Sequence, residues 1–240
     1  MKTKAYKIFS LLFFVTIFTV SCQKSNTNDL QIAQICLNAA SAGSALSCVN
    51  KISGDTSENA FKLRCAAYFI SEGFGAMSSF APALDQINGS TTGCSGTCSP
   101  TLAAMTTLSF RSGNVSLQTV KDANNLKAAT TFEQCSQSGV KIYSEISSIF
   151  RIGTLTAMIA GVSNPSATQL EAALPSLPSA TLGAVVLTAY QTSCTNLDGA
   201  SDSAKKYCSE LNSAIGTKTD PTLIGDCMKI KLDNPAALCP

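Results

Sequence analysis

The side chains best equipped for chemistry in this 240-residue chain are its eleven cysteines, and it contains no histidine. Without imidazole, the usual general base, the Ser-His and Cys-His nucleophile pairs and the commonest zinc ligand are all missing. Cys94 and Cys98 have a spacing that a zinc loop could use, but with no histidine to complete the set a disulfide is the simpler role. The same pair is one residue too wide for the Cys-x-x-Cys of a thiol oxidoreductase, and it sits in a Gly/Ser/Thr-rich loop. Lys205 and Lys206 could serve a Ser-Lys nucleophile, yet read as a solvent-facing helix surface. Asp198 and Asp202 bracket a turn and read as the solvated start of a helix. No glycine cluster ends in the Gly-Lys-Ser/Thr of a phosphate loop. Asn88 to Ser90 and Asn114 to Ser116 match the glycosylation sequon and are read as chance matches. No catalytic residue, metal site or cofactor is therefore expected, and cysteine oxidation is the chemistry that remains.

The N-terminus says where that oxidation takes place. Lys2, Lys4 and Lys7 precede an uncharged run from Ile8 to Val20, and then comes the small residue Ser21 before Cys22. This is the layout of a signal peptide, and its apolar run is shorter than the roughly 20 residues a transmembrane helix needs. Thr19, Val20, Ser21 and Cys22 resemble the lipobox of bacterial lipoproteins, in the relaxed form seen in spirochaetes; Thr19 departs from the usual leucine. The resemblance is limited to the signal and tether. It implies that Cys22 is acylated, becomes the mature N-terminus and holds the protein to a membrane leaflet. Export and lipid anchoring are the expected location, with the outer membrane or cell surface favoured and the periplasmic leaflet as the alternative.

Removing Cys22 leaves an even set of ten: Cys36, Cys48, Cys65, Cys94, Cys98, Cys135, Cys194, Cys208, Cys227 and Cys239. In an oxidising compartment these most simply form five disulfides. Processing also removes three lysines, leaving 14 basic and 15 acidic residues. A chain so balanced offers neither the cationic footprint that nucleic acid requires nor a polybasic membrane face. Tryptophan is absent, and five of the sixteen aromatic residues (Tyr6, Phe9, Phe13, Phe14 and Phe18) belong to the signal. With few large side chains to bury, crosslinks become a second source of stability, at about 2 to 4 kcal/mol each.

The elements that must position these cysteines are helices. Residues 1–21 read as the signal peptide, 22–28 as a flexible tether and 29–240 as a cysteine-rich helical domain, with the prolines at 165, 175 and 178 marking a division near 164–180. Helical spacing predicts segments over 29–41, from Asp55 as N-cap past Phe61, Cys65 and Phe69, over 76–87, and from Ser99 and Pro100 to near Phe110. Further helices are predicted over 116–137 and 140–162, around Leu182 to Ala189, over 200–214, and over 221–229 with Asp220 as cap. No run alternates as a strand does, so the predicted class is all-α: a disulfide-stapled multi-helix bundle or stacked helical hairpins. Cys36 and Cys48, Cys194 and Cys208, and Cys227 and Cys239 lie symmetrically about predicted turns, where an antiparallel hairpin would bring them together. Cys48 with Cys65 and Cys208 with Cys227 compete nearly as well. The similar spacings of Cys36 to Cys65 and Cys194 to Cys227 hint at a repeated crosslinked hairpin.

Three function classes fit. The leading one is a membrane-anchored, non-enzymatic envelope or surface lipoprotein that binds a protein partner. The alternative is a carrier of an apolar small ligand or lipid in a disulfide-braced helical cavity, although the adjacent Cys-Cys and Cys-x-Cys of plant lipid-transfer proteins are lacking. The third is a histidine-independent hydrolase. Sequence sets neither the oligomeric state nor the partner.

Overall fold

A computed structural model describes residues 26–75, 80, 83, 99–162, 164–195, 197 and 200–239. Every regular element among them is helical. Apart from Phe80 and Ala83, the expected helix over 76–87 lies outside the described residues, as do most of the loop that follows it, Asp198, Cys22, Cys94 and Cys98.

The first helix, α1 (Asn26–Asn38), begins inside the stretch expected to be tether. A 3-10 helix (Ala45–Ile52) folds back onto it, and α2 (Glu58–Ser71) closes a small core around Ala33, Leu37, Val49, Ile52, Ala60 and Leu63. The cap of α2 is Ser57, not Asp55: the Ser57 hydroxyl accepts from the Ala60 amide, while Asp55 accepts from the Ser57 amide at 2.8 Å. Asp55 thus orders the capping residue instead of capping. Arg64 is buried and locks this corner, donating to the carbonyls of Ile52 and Asp55 and, at 2.6 Å, to Gln134 of a later helix.

Ser99 and Pro100 start α3 (Pro100–Met105) as cap and first residue, but the helix stops well short of Phe110. There the Phe110 amide donates to the Thr154 hydroxyl at 2.8 Å, an alternative to helix continuation that turns the chain onto its neighbour. Helices α4 (Gln118–Ser136) and α5 (Lys141–Ala160) form an antiparallel hairpin, and α5 is the central element, with fourteen buried residues. Its end at Gly161, in the left-handed region at φ 70°, is a position where a side chain would be strained. Phe150 of α5 sits among Phe69, Phe74, Phe80 and Phe110, with ring centroids 4.6 to 6.2 Å away. Nearly half of the eleven aromatic residues beyond position 21 are gathered here.

The prolines near 164–180 do not separate two cores. Ser166 and Gln169 form a capping box for α6 (Ala167–Ala173), a 3-10 turn (Leu174–Ser176) follows, and Leu170, Leu174 and Leu177 share one core with Phe150 and Met228. The prolines turn the chain within that core. Helix α7 (Ser179–Ser193) is joined to α5 by the hydroxyl pair Ser144 and Thr192. The chain ends in α8 (Asp202–Ile215), capped by Ser201, and α9 (Pro221–Asp233), capped by Asp220 with Pro221 as its first residue.

Helices α7 and α9 pack backbone to backbone, where the small-residue composition shows its use. A Cβ on Gly183 would collide with the Pro221 carbonyl, and one on Gly225 with the Ser179 carbonyl. Bare backbone lets the two helices meet at a distance that larger residues forbid.

Candidate functional site

The described cysteines form four bridges. Cys36 joins Cys48, Cys194 joins Cys208 and Cys227 joins Cys239, with Cα separations of 5.5, 5.5 and 5.2 Å. Each spans one of the turns about which its cysteines are symmetrically placed. Cys65 bonds neither neighbour in sequence but Cys135, 70 residues on, and so ties α2 to α4 with a Cα separation of 4.9 Å. The apparent repeat therefore breaks at its second bridge: Cys65 pairs across the fold, whereas its counterpart Cys227 pairs locally.

The other residues singled out by chemistry do not converge. Lys205 and Lys206 are exposed on α8, and Asp202 lies in its capped first turn. Asn114 is held in a local turn, accepting from the amide and hydroxyl of Ser116. Among the described residues no three cysteine, aspartate or glutamate side chains are grouped as a metal would require.

A polar cluster that sequence spacing does not reveal lies where α3, α5 and α8 meet. Tyr207 shares a hydrogen bond with Ser148, and Ser99 donates to Glu210 at 2.9 Å. Glu145 is 6% exposed, and burial raises its carboxyl to about 7 despite Lys141 one turn earlier. Burial also raises Glu210, against the pull of its hydrogen bonds and of Lys206. The Tyr207 phenol is pushed far up, first by complete burial and then by the charges of Glu145 and Glu210. Such a set could exchange protons with a substrate only if one could reach it. None of these residues lines either of two surface depressions, a larger and a smaller one.

The larger depression is an open trough of about 450 Å³ between α4, α5 and α7. Phe132 of α4 and Ala180, Ala184 and Val185 of α7 give it an apolar surface, with the hydroxyls of Thr181 and Thr188 along one side. Arg151 supplies its charge. The guanidinium is half-buried and donates to the Asn125 carbonyl at 2.9 Å, and burial pushes its pKa down. Among the described residues no carboxylate pairs with it; their ion pairs are Lys127 with Glu72 and Lys229 with Asp226. The smaller depression, about 210 Å³, lies beside Asp29, Lys51 and Asp55, and its charges are mixed. An apolar trough carrying one unneutralised cation can bind an apolar body and orient a polar end.

No protein-family model, curated protein or solved structure matches the chain.

Proposed function

We propose that this is an exported, lipid-anchored, non-enzymatic protein whose stapled helical body carries a small apolar ligand along the α4–α5–α7 trough. The observation that carries the reading is the apolar trough itself, with Arg151 in its wall and, among the described residues, no acidic side chain lining it or pairing with that arginine. Two bridges support it: Cys65–Cys135 ties α4 to α2, and Cys194–Cys208 ties the chain just past α7 to α8, so two of the three helices around the trough are held before any ligand arrives. Anchoring rests on Lys2, Lys4, Lys7 and the apolar run before Cys22. Among the described residues no single helix is long and apolar enough to cross a membrane.

An open trough covers one side of its ligand, so binding is expected to be weaker than at an enclosed site. Titration with an environment-sensitive apolar dye, read by fluorescence, tests the site. Ala184→Phe should fill the trough and abolish the dye signal; an unchanged signal would remove the trough from consideration.

A second reading, docking of a protein partner, is favoured by Ile32 and Ile35, which are 42% and 61% exposed one turn apart on α1. It predicts that a photo-crosslinker at Ile35 traps one defined envelope protein in intact cells. A result no different from a crosslinker placed at Lys205 would count against it.

A further inference from the structure

We infer that the ligand of the trough is a single-chain amphiphile with one carboxylate head, held by Arg151, whose chain lies along Ala180, Ala184 and Val185. This rests on the trough being a ligand site. Its length comes from α7: Ala180 and Thr188 lie eight helical steps apart, about 12 Å at helical rise, which suits one acyl chain of medium length. The head is chosen by charge. Guanidinium carries five N–H donors, and one of them is engaged by the Asn125 carbonyl, an acceptor that brings no negative charge. The rest match the two oxygens of a carboxylate, and a bidentate pair there would offset the cost of half-burying the cation. Among the described residues Arg151 is the only charged one lining the trough, so a monoanion is neutralised, whereas a phosphate monoester would leave excess negative charge against an apolar wall.

The test uses the full chain carrying Cys22→Ala, purified without detergent, and competition against the apolar dye. Dodecanoate is expected to displace the dye at about tenfold lower concentration than dodecan-1-ol, the difference one charge-assisted pair supplies. Arg151→Gln should erase that preference and leave the alcohol unchanged within about twofold, with circular dichroism reporting that the variant remains helical. Dodecyl phosphate should compete less well than dodecanoate. Equal displacement by acid and alcohol in the unmodified trough needs no arginine variant to interpret, and would overturn the carboxylate assignment. So would a preference that survives Arg151→Gln, or tighter binding of the phosphate. Failure of both acid and alcohol to displace the dye, or indifference of both to Ala184→Phe, would instead overturn the trough as a ligand site.

Discussion

A Cβ placed on Gly183 would lie 2.9 Å from the backbone nitrogen of Gly225, so α7 and α9 meet backbone to backbone where the two glycines cross. The clashing atoms are main chain and cannot swing aside. Gly183→Ala or Gly225→Ala should therefore force the helices apart and destabilise the fold by about 3 kcal/mol or more. Gly43, where an added methyl meets nothing within 4 Å, is the control, and Gly43→Ala should be nearly neutral. Urea midpoints of the three variants measure the contrast.

Glu145 makes stability fall as the solution becomes less acidic. Its folded-state pKa of about 7 lies above the ordinary 4.5, so between those values the folded protein holds a proton that the unfolded chain releases. The associated stability is complete below about 4.5 and lost as pH rises through 7; the raised Glu210 acts in the same direction. Replacing Glu145 by Gln removes the buried charge. At pH 8 the variant should be more stable than the parent by up to about 3 kcal/mol, and at pH 4 nearly equal to it. Urea unfolding at both pH values decides the matter, and a parent whose stability rises from pH 5 to 8 would refute it.

The bridges should differ in worth and in access. Cys65–Cys135 closes a 70-residue separation, for which loop entropy gives about 4 kcal/mol, against about 3 for each bridge separated by 12 or 14 residues. Removing it by the double substitution to Ala should cost most. Both of its cysteines are fully buried, whereas Cys36 is exposed, so mild reductant should open Cys36–Cys48 first. Alkylation and mass spectrometry at intervals give the order.

Cys22→Ala should abolish incorporation of labelled fatty acid and release the protein from membranes. Unchanged labelling would rule out Cys22 as the acyl acceptor. Denatured but unreduced protein should likewise react with almost no thiol reagent if ten cysteines form five bridges.

Features set by neighbouring residues could be read from sequence, and features set by docking could not. Ser99 with Pro100 and Asp220 with Pro221 start helices as their types predict, because capping is settled within one turn. The three turn-spanning bridges fit the same local geometry, which ranks Cys48 with Cys65 and Cys208 with Cys227 nearly as well. Cys65–Cys135 does not, since it depends on α2 lying against α4. Asp55 and Ser57 are both good caps two residues apart, and only their mutual hydrogen bond assigns the roles. In sequence, Arg151 argues against membrane insertion of α5. Its place in an apolar trough exists only once α7 has docked beside it. Glu145, Tyr207 and Glu210 are separated by up to 65 positions in sequence, so no spacing rule groups them.

The spacing of the bridges also sets an order of assembly. A chain emerging N-terminus first can join Cys36 to Cys48 as soon as one short hairpin is out. Cys65, in contrast, must wait for Cys135 for on the order of ten seconds at ordinary rates of synthesis, and Cys94 and Cys98 emerge in the interval. Among the described bridges, Cys65–Cys135 is thus the one exposed to mispairing during maturation. Its yield should depend on a disulfide isomerase, whereas the three short hairpins need only an oxidant.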